Sequence, residues 1–331
     1  MARGIDGLVH VDPHIHGRAR AAWKVTGCNG ERLLVKRTWD VKELEESMEE
    51  PEATMLIKAG NVSGIARLAL YSQETTGYTS DAPHSQRDPT DFGELYKREQ
   101  LARRHRILVI EYFERDIMQV RSNEELLLVL RDAVQAHGEL WKIGICHRDI
   151  CPKDIRIKEE GCRSSGVLVG LDKAKPVTEQ SVVVPCMPDV VNKNMFQSRY
   201  VLRVAAEPKS KKLYPSLWDD LESFFYVLCF LCSTDSKGIR DMFSDWASEN
   251  PGVSLEAKST FCVACQPSLS WNLFVDPYFG PVFMKLLAGM HRSLHSYDED
   301  RSRGHETFLA LIDTAIIELS NSPELVAVDI S

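Results

Sequence analysis

At 331 residues with a formal net charge of −8, the chain can hold one large two-lobed domain or two ordinary ones, and its acidic balance argues against a non-specific nucleic-acid binder. Hydrophobic residues make up 44% and charged residues 27%, which is the balance of a globular protein with a core to bury. No apolar run reaches the roughly 18 residues of a membrane span, and the start, Met1-Ala2-Arg3-Gly4-Ile5, lacks the apolar stretch of a secretory signal, so the expectation is an intracellular protein, cytoplasmic or nuclear, without a membrane partner.

Residues 8–40 read as strands, with Asn29-Gly30 marking a hairpin turn ahead of Leu33-Leu34-Val35. Residues 41–59 set Leu44, Met48, Met55 and Leu56 among acidic residues, the spacing of one or two amphipathic helices. Residues 72–106 are polar and rich in Gly, Pro, Ser, Asp and Arg, and are expected to form a long inserted loop. Ile107-Leu108-Val109-Ile110 is a buried strand, and Glu111 to Glu114 connect it onward.

Helical spacing takes over at residues 123–143, through Leu126, Leu127, Leu130, Val134, Leu140 and Trp141, with Ser122 to Glu125 as a candidate capping box. Two short strands, Ile155 to Ile157 and Val167 to Val169, flank a turn between Gly161 and Gly166. Residues 217–232 form an apolar helix opening on Asp219 and Asp220, and an amphipathic helix near 305–320 closes the chain. Strands in the first third and helices thereafter give an α+β order with two lobes, a small β-rich lobe over 1–115 and a larger helical lobe over 116–331.

Nine cysteines at irregular spacing read as free thiols of a reducing compartment. Cys229/Cys232 and Cys262/Cys265 are Cys-x-x-Cys pairs, and four thiolates would suit zinc. The first pair, however, lies within an apolar helix, which forms no knuckle turn, so packing is the favoured role. His10, His14 and His16 cluster near a strand start and are weaker still as a metal site.

The chemistry concentrates in Cys146-His147-Arg148-Asp149-Ile150-Cys151-Pro152-Lys153-Asp154. This matches the loop His-Arg-Asp-x-x-x-x-Asn, in which the first Asp faces a substrate hydroxyl and the residue five later reaches a metal on the phosphates. Asp154 stands where Asn is usual and keeps a hard oxygen ligand.

With this loop, Leu34-Val35-Lys36-Arg37-Thr38-Trp39 upstream, and Gly166 to Lys175 and Trp218-Asp219-Asp220-Leu221-Glu222-Ser223-Phe224-Phe225-Tyr226 downstream, the sequence resembles the fungal-type protein kinase domain family over about residues 15 to 310. The resemblance implies the bilobal protein-kinase-like fold and a set of roles. Lys36 would hold the α/β-phosphates of ATP, with Glu52 as its ion-pair partner and Glu49 and Glu50 as rivals. Gly17 would lie in the phosphate-covering loop, and Glu111 to Phe113 would form the hinge beside adenine. Asp149 would be the catalytic base, with Arg148 against an activation segment spanning 170–207 and weakly closed by Glu207. His147 and Asp220 would brace the loop, and Asp154 and Asp172 are the candidate Mg2+ ligands.

Three departures accompany these matches. Where the family shows Asp-aromatic-Asp, the chain reads Gly170-Leu171-Asp172, so the principal Mg2+ ligand is replaced by Gly170. In an extended chain Asp172, two residues on, points to the same side and is the one local substitute. The loop around Gly17-Arg18-Ala19-Arg20 has a single glycine, leaving charge from Arg18 or Arg20 to compensate for lost backbone contacts. The chain starts almost at its first strand, which is the expectation for a truncated gene product.

The resulting reading is an ATP-binding, kinase-fold protein with weak or no catalysis, a pseudokinase with a protein partner or substrate that the sequence does not name. The alternative is an active Ser/Thr kinase using Asp149 as base and Asp154 and Asp172 as metal ligands. A small-molecule phosphotransferase would carry Gly inside the His-x-Asp triplet, and Arg148 disfavours it.

Overall fold

A computed structural model of the chain describes residues 2–11, 19–41, 52–75, 103–161, 163–177, 181–182, 193–207, 212–213, 216–264, 271–295 and 303–321. The chain divides into two compact units. One comprises residues 1–60 and 66–113, and the other 61–65 and 114–331.

The first unit is a five-stranded antiparallel sheet with spatial order β1-β2-β3-β5-β4. Its strands are β1 (Ala2–Val11), β2 (Ala19–Gly27), β3 (Arg32–Val41), β4 (Leu68–Thr75) and β5 (Arg103–Glu111). Helix α1 (Glu52–Ala59) runs beside β4 and buries Ala53, Met55, Leu56 and Ala59. The β2–β3 turn is closed by Gly27 N–H to the Glu31 carbonyl at 2.8 Å. On β5 the period-two rule puts Arg106, Leu108 and Ile110 on the buried face. Lys36 sits mid-sheet, paired in register with Ala22 on one side and Leu108 on the other.

The loop expected over 72–106 is corrected at both ends. Residues 72–75 complete β4, and 103–106 begin β5, paired from Ser72↔Ile107 to Thr75↔Arg104. The reason is position: β4 is an edge strand with one solvated face, so Leu70 is exposed and Gln73 bonds Tyr71 Oη at 2.6 Å. Polar composition there reflects exposure and not loss of pairing. The remainder of that stretch, residues 76–102, lies outside the described residues.

The second unit is built on α2 (Asn123–Lys142) and the later α5 (Leu217–Cys232). Ser122 caps α2 by accepting from Glu125 N–H at 3.0 Å, and Leu127, Leu130, Ala133, Val134 and Leu140 are fully buried along its length. The candidate capping box is half formed: the Glu125 carboxylate pairs with Arg115 at 2.9 Å and accepts from Arg121 N–H in place of the N-cap amide. Short strands β6 (Ile145–Cys146), β7 (Ile155–Glu160), β8 (Arg163–Leu168), β9 (Lys175–Pro176), β10 (Ser181–Val182) and β11 (Lys212–Leu213) form two-stranded pairs: β6–β9, β7–β8 and β10–β11. The β7–β8 hairpin lies on α2 so closely that a side chain at Gly166 would run into the Val129 carbonyl. Residues 61–65, between α1 and β4, join this unit: Ile65 bridges Leu168, whose N–H reaches the Gly64 carbonyl at 2.7 Å.

The remaining helices are α3 (Lys193–Phe196), α4 (Arg199–Ala206), α6 (Lys237–Trp246), α7 (Pro251–Ala264), α8 (Trp271–Phe274), α9 (Gly280–His295) and α10 (Gly304–Ser320). They enclose an aromatic core in which Tyr226, Trp246, Phe261, Trp271 and Phe274 meet at centroid distances of 5.0 to 6.2 Å, mostly edge to face. Among the described residues no helix is long and apolar enough to cross a membrane.

Candidate functional site

In the first unit, Lys36 Nζ stands 2.9 and 2.8 Å from the two carboxylate oxygens of Glu52. The Glu52 side chain is nearly buried at 9% exposure, while the Lys36 side chain keeps 30%. Glu52 is the first residue of α1, where the helix dipole favours a carboxylate. Glu111, at the end of β5, accepts from Arg67 N–H at 3.0 Å, and Tyr112 N–H bonds the Arg32 carbonyl at 3.0 Å. Phe113 is half-buried at the last position of this unit. Gly17, Glu49 and Glu50 lie outside the described residues.

In the second unit, the loop from His147 to Asp154 is bracketed by the β6–β9 pair and anchored by Asp220 on α5. The Asp220 carboxylate is buried and accepts from Arg148 N–H at 2.9 Å, His147 N–H at 3.0 Å, His137 Nε2–H at 2.8 Å and the Cys146 thiol at 3.3 Å. Burial alone would raise its pKa. The hydrogen bond and charge of His137, with the loop amides, outweigh that and hold the pKa down at about 2. These bonds hold Arg148 at φ +70°, a left-handed conformation that costs a non-glycine residue about 1 kcal/mol.

The histidine tautomers follow from the partners. A carboxylate only accepts, so His137 carries its hydrogen on Nε2. His137 Nδ1 stands 2.7 Å from His305 Nε2, the two nitrogens sharing one hydrogen, and burial first and the charge of His137 next hold the His305 pKa down at about 3, which keeps that ring neutral. His147 Nε2–H donates to the Val169 carbonyl at 2.8 Å, and its Nδ1 accepts from Asp149 N–H at 3.4 Å. Both ends of the His147 ring thus fix the loop, and burial lowers its pKa as well. Asp219, beside Asp220, accepts from the Ser198 hydroxyl at 2.6 Å through Oδ1, while its enclosed Oδ2 has no partner among the described residues. Burial first, and the charges of Asp220 and Glu222 after it, push the Asp219 pKa up to about 7.

The far end of the loop differs. The Cys151 thiol donates to Asp154 Oδ2 at 2.8 Å. Burial and the Asp154 charge push the Cys151 pKa well up, so it stays a protonated donor. The Asp154 carbonyl accepts from Val169 N–H at 2.9 Å, which draws Gly170 against the Asp154 side chain. Gly170 has φ +82°, and a Cβ there would stand 2.5 Å from Asp154 Oδ1. Leu171 is buried, and Asp172 follows half-buried in a turn closed by Ala174 N–H to the Leu171 carbonyl at 3.2 Å. Two residues here were not singled out from the sequence. Cys151 lay unremarked between the loop's named positions, and His305 is 168 residues from the His137 it meets.

A sheet unit with a strand lysine paired to a helix carboxylate, and a helical unit whose His-Arg-Asp loop is clamped by a buried aspartate, define a protein-kinase-like α+β fold. The chain belongs to the fungal protein kinase family, whose sequence pattern it matches over residues 4–232, ending on the last residue of α5. No curated protein sequence matches the chain.

Proposed function

We propose that this kinase-family chain binds ATP without depending on Mg2+ and acts through a protein partner as a pseudokinase, with phosphoryl transfer weak or absent. One observation carries the reading: the position of the principal metal ligand is Gly170, in a left-handed conformation with Asp154 packed over its Cα. Phosphoryl transfer depends on neutralising phosphate charge, and metal coordination supplies several kcal/mol of that. The donor set does not fit the site such an ion needs, which takes one carboxylate and one further side-chain oxygen. Gly170 offers no side-chain oxygen, and Asp154 Oδ2 is engaged by the Cys151 thiol. Lys36, supported by Glu52, is the cation for the α/β-phosphates, and Glu111 to Phe113 form the segment for adenine.

Thermal denaturation with ATP, with and without Mg2+, tests this. The expected result is an upward shift of the melting temperature that is equal in both conditions and absent in Lys36→Ala. Incubation with γ-labelled ATP is expected to label nothing. Labelling that disappears in Asp149→Ala would overturn the proposal in favour of an active Ser/Thr kinase using Asp149, Asp154 and Asp172.

A further inference from the structure

Away from the loop, Cys262 on α7 and His291 and His295 on α9 bring their ligand atoms within 4.8 Å of one another. Among the described residues this is the single group of three or more such side chains placed so closely. Its members do not include Cys229 or Cys232, which are buried in α5 as packing thiols.

The two histidines are i and i+4 on one helix, so they share a face. Their rings stack at 4.3 Å and 28°. Each is already oriented by a backbone carbonyl. His291 Nε2–H donates to the Cys262 carbonyl at 3.1 Å, which makes Nδ1 the lone-pair nitrogen of that ring. His295 Nδ1–H donates to the His291 carbonyl at 2.7 Å, which leaves the Nε2 lone pair. That Nε2 is buried and has no hydrogen-bond partner among the described residues. A metal-ligating histidine is set up in this way: one ring nitrogen fixed on a carbonyl, the other presenting its lone pair. A buried acceptor left without a donor is otherwise destabilising.

We propose that Cys262, His291 and His295 form a site for a zinc-class transition-metal ion, the Cys262 thiol releasing its proton to solvent on binding and a fourth position remaining for water. One sulfur and two imidazoles suit zinc, with bonds of about 2.0–2.3 Å that set ligand atoms roughly 3.3–3.8 Å apart, so the cluster contracts by about 1 Å on loading. Phe225 and Trp271 flank His291 at 6.0 and 6.1 Å and give the site apolar walls. Three cations act on it: Arg199, which is paired with Glu222 at 2.7 Å, Lys258, whose Nζ donates to the Asn194 and Gln197 carbonyls, and Arg292 at the end of α9. Burial holds the pKa of His291 down at about 4 and lowers that of His295, so both rings are neutral near pH 7, while burial pushes the Cys262 thiol up to about 11, so its proton leaves only when the ion binds. The site does not depend on whether the chain binds ATP, and its failure would leave the kinase-family reading untouched.

Cobalt titration of the chelator-treated protein, followed by zinc competition, tests it. One equivalent of cobalt is expected, with a thiolate-to-cobalt charge-transfer band and tetrahedral visible absorption. Zinc displaces it and raises the melting temperature. Cys262→Ser abolishes the band, and His295→Gln weakens binding by more than about a hundredfold, beyond the loss typical of a supporting group alone. Cys28→Ser, at an exposed cysteine of the first unit, retains the full signal. If either site variant unfolds by circular dichroism, the zinc-induced shift of the unaltered protein decides. No band and no shift in that protein, or a band unchanged in folded Cys262→Ser, overturns the site.

Discussion

The two ends of the loop from His147 to Asp154 are only a few residues apart and are held in opposite ways. At the first end, Asp220 retains four donors and carries Arg148 in a conformation that few side chains adopt unaided. At the second, Asp154 accepts from a thiol and lies over a glycine that brings no charge. The first set of contacts holds α2, α5 and the loop together, so losing it would cost the fold. The second arrangement has fewer ties: the Cys151 thiol and the Val169 N–H hold Asp154, and Gly170 packs against it.

The sharpest way to break the comparison is Asp220→Ala. It leaves the amides of His147 and Arg148 and the His137 N–H without their buried acceptor. A loss of about 3–5 kcal/mol in urea unfolding is expected. A result within 1 kcal/mol of the parent would show that the clamp is dispensable.

The neighbouring Asp219 gives the next effect, and it depends on pH. Its folded pKa is about 7, against an ordinary carboxylate value of 3.8. Below about pH 4 both states hold the proton, and stability is at its full value. As pH rises toward 7 the unfolded chain releases the proton first, and stability falls by about 1 kcal/mol per pH unit before levelling off above 7. Asp219→Asn removes this contribution, so the difference between parent and variant should change across pH 4–7 and be flat above it, as followed by denaturant midpoints.

Gly170→Asp tests the other end. It restores the family's residue type but places a Cβ against Asp154 at a positive φ. The expected outcome is destabilisation by about 1–2 kcal/mol and no gain of Mg2+-dependent stabilisation by ATP. Recovery of a metal-dependent shift would show that the backbone there relaxes readily. Smallest of all, Cys151→Ala removes one thiol–carboxylate bond and should change stability by about 1 kcal/mol or less, with the ATP-induced shift unchanged in calorimetry.

Much of the architecture was legible because burial leaves a period in the sequence. Helix α5 is apolar nearly throughout and appears with the expected bounds, 217–232, and Ser122 caps α2 as its spacing implied. Edge strand β4 escaped the reading because one of its faces is solvated, so its polar residues imitate a loop. At the site, Gly170 was visible as a missing carboxylate, but its left-handed backbone and the Asp154 oxygen above it were not.

The sequence by itself determined the order of strands and helices, the family, the loop around Asp149 and the absence of a carboxylate at position 170, since each depends on residue type at short separation. Only the tertiary structure decided that Cys151 engages Asp154, that His305 reaches Asp220 through His137, and that Cys262 meets His291 and His295. Those are meetings of side chains whose partners are chosen by how helices pack and by which hydrogen each ring carries. Neither leaves a period or a spacing in the chain.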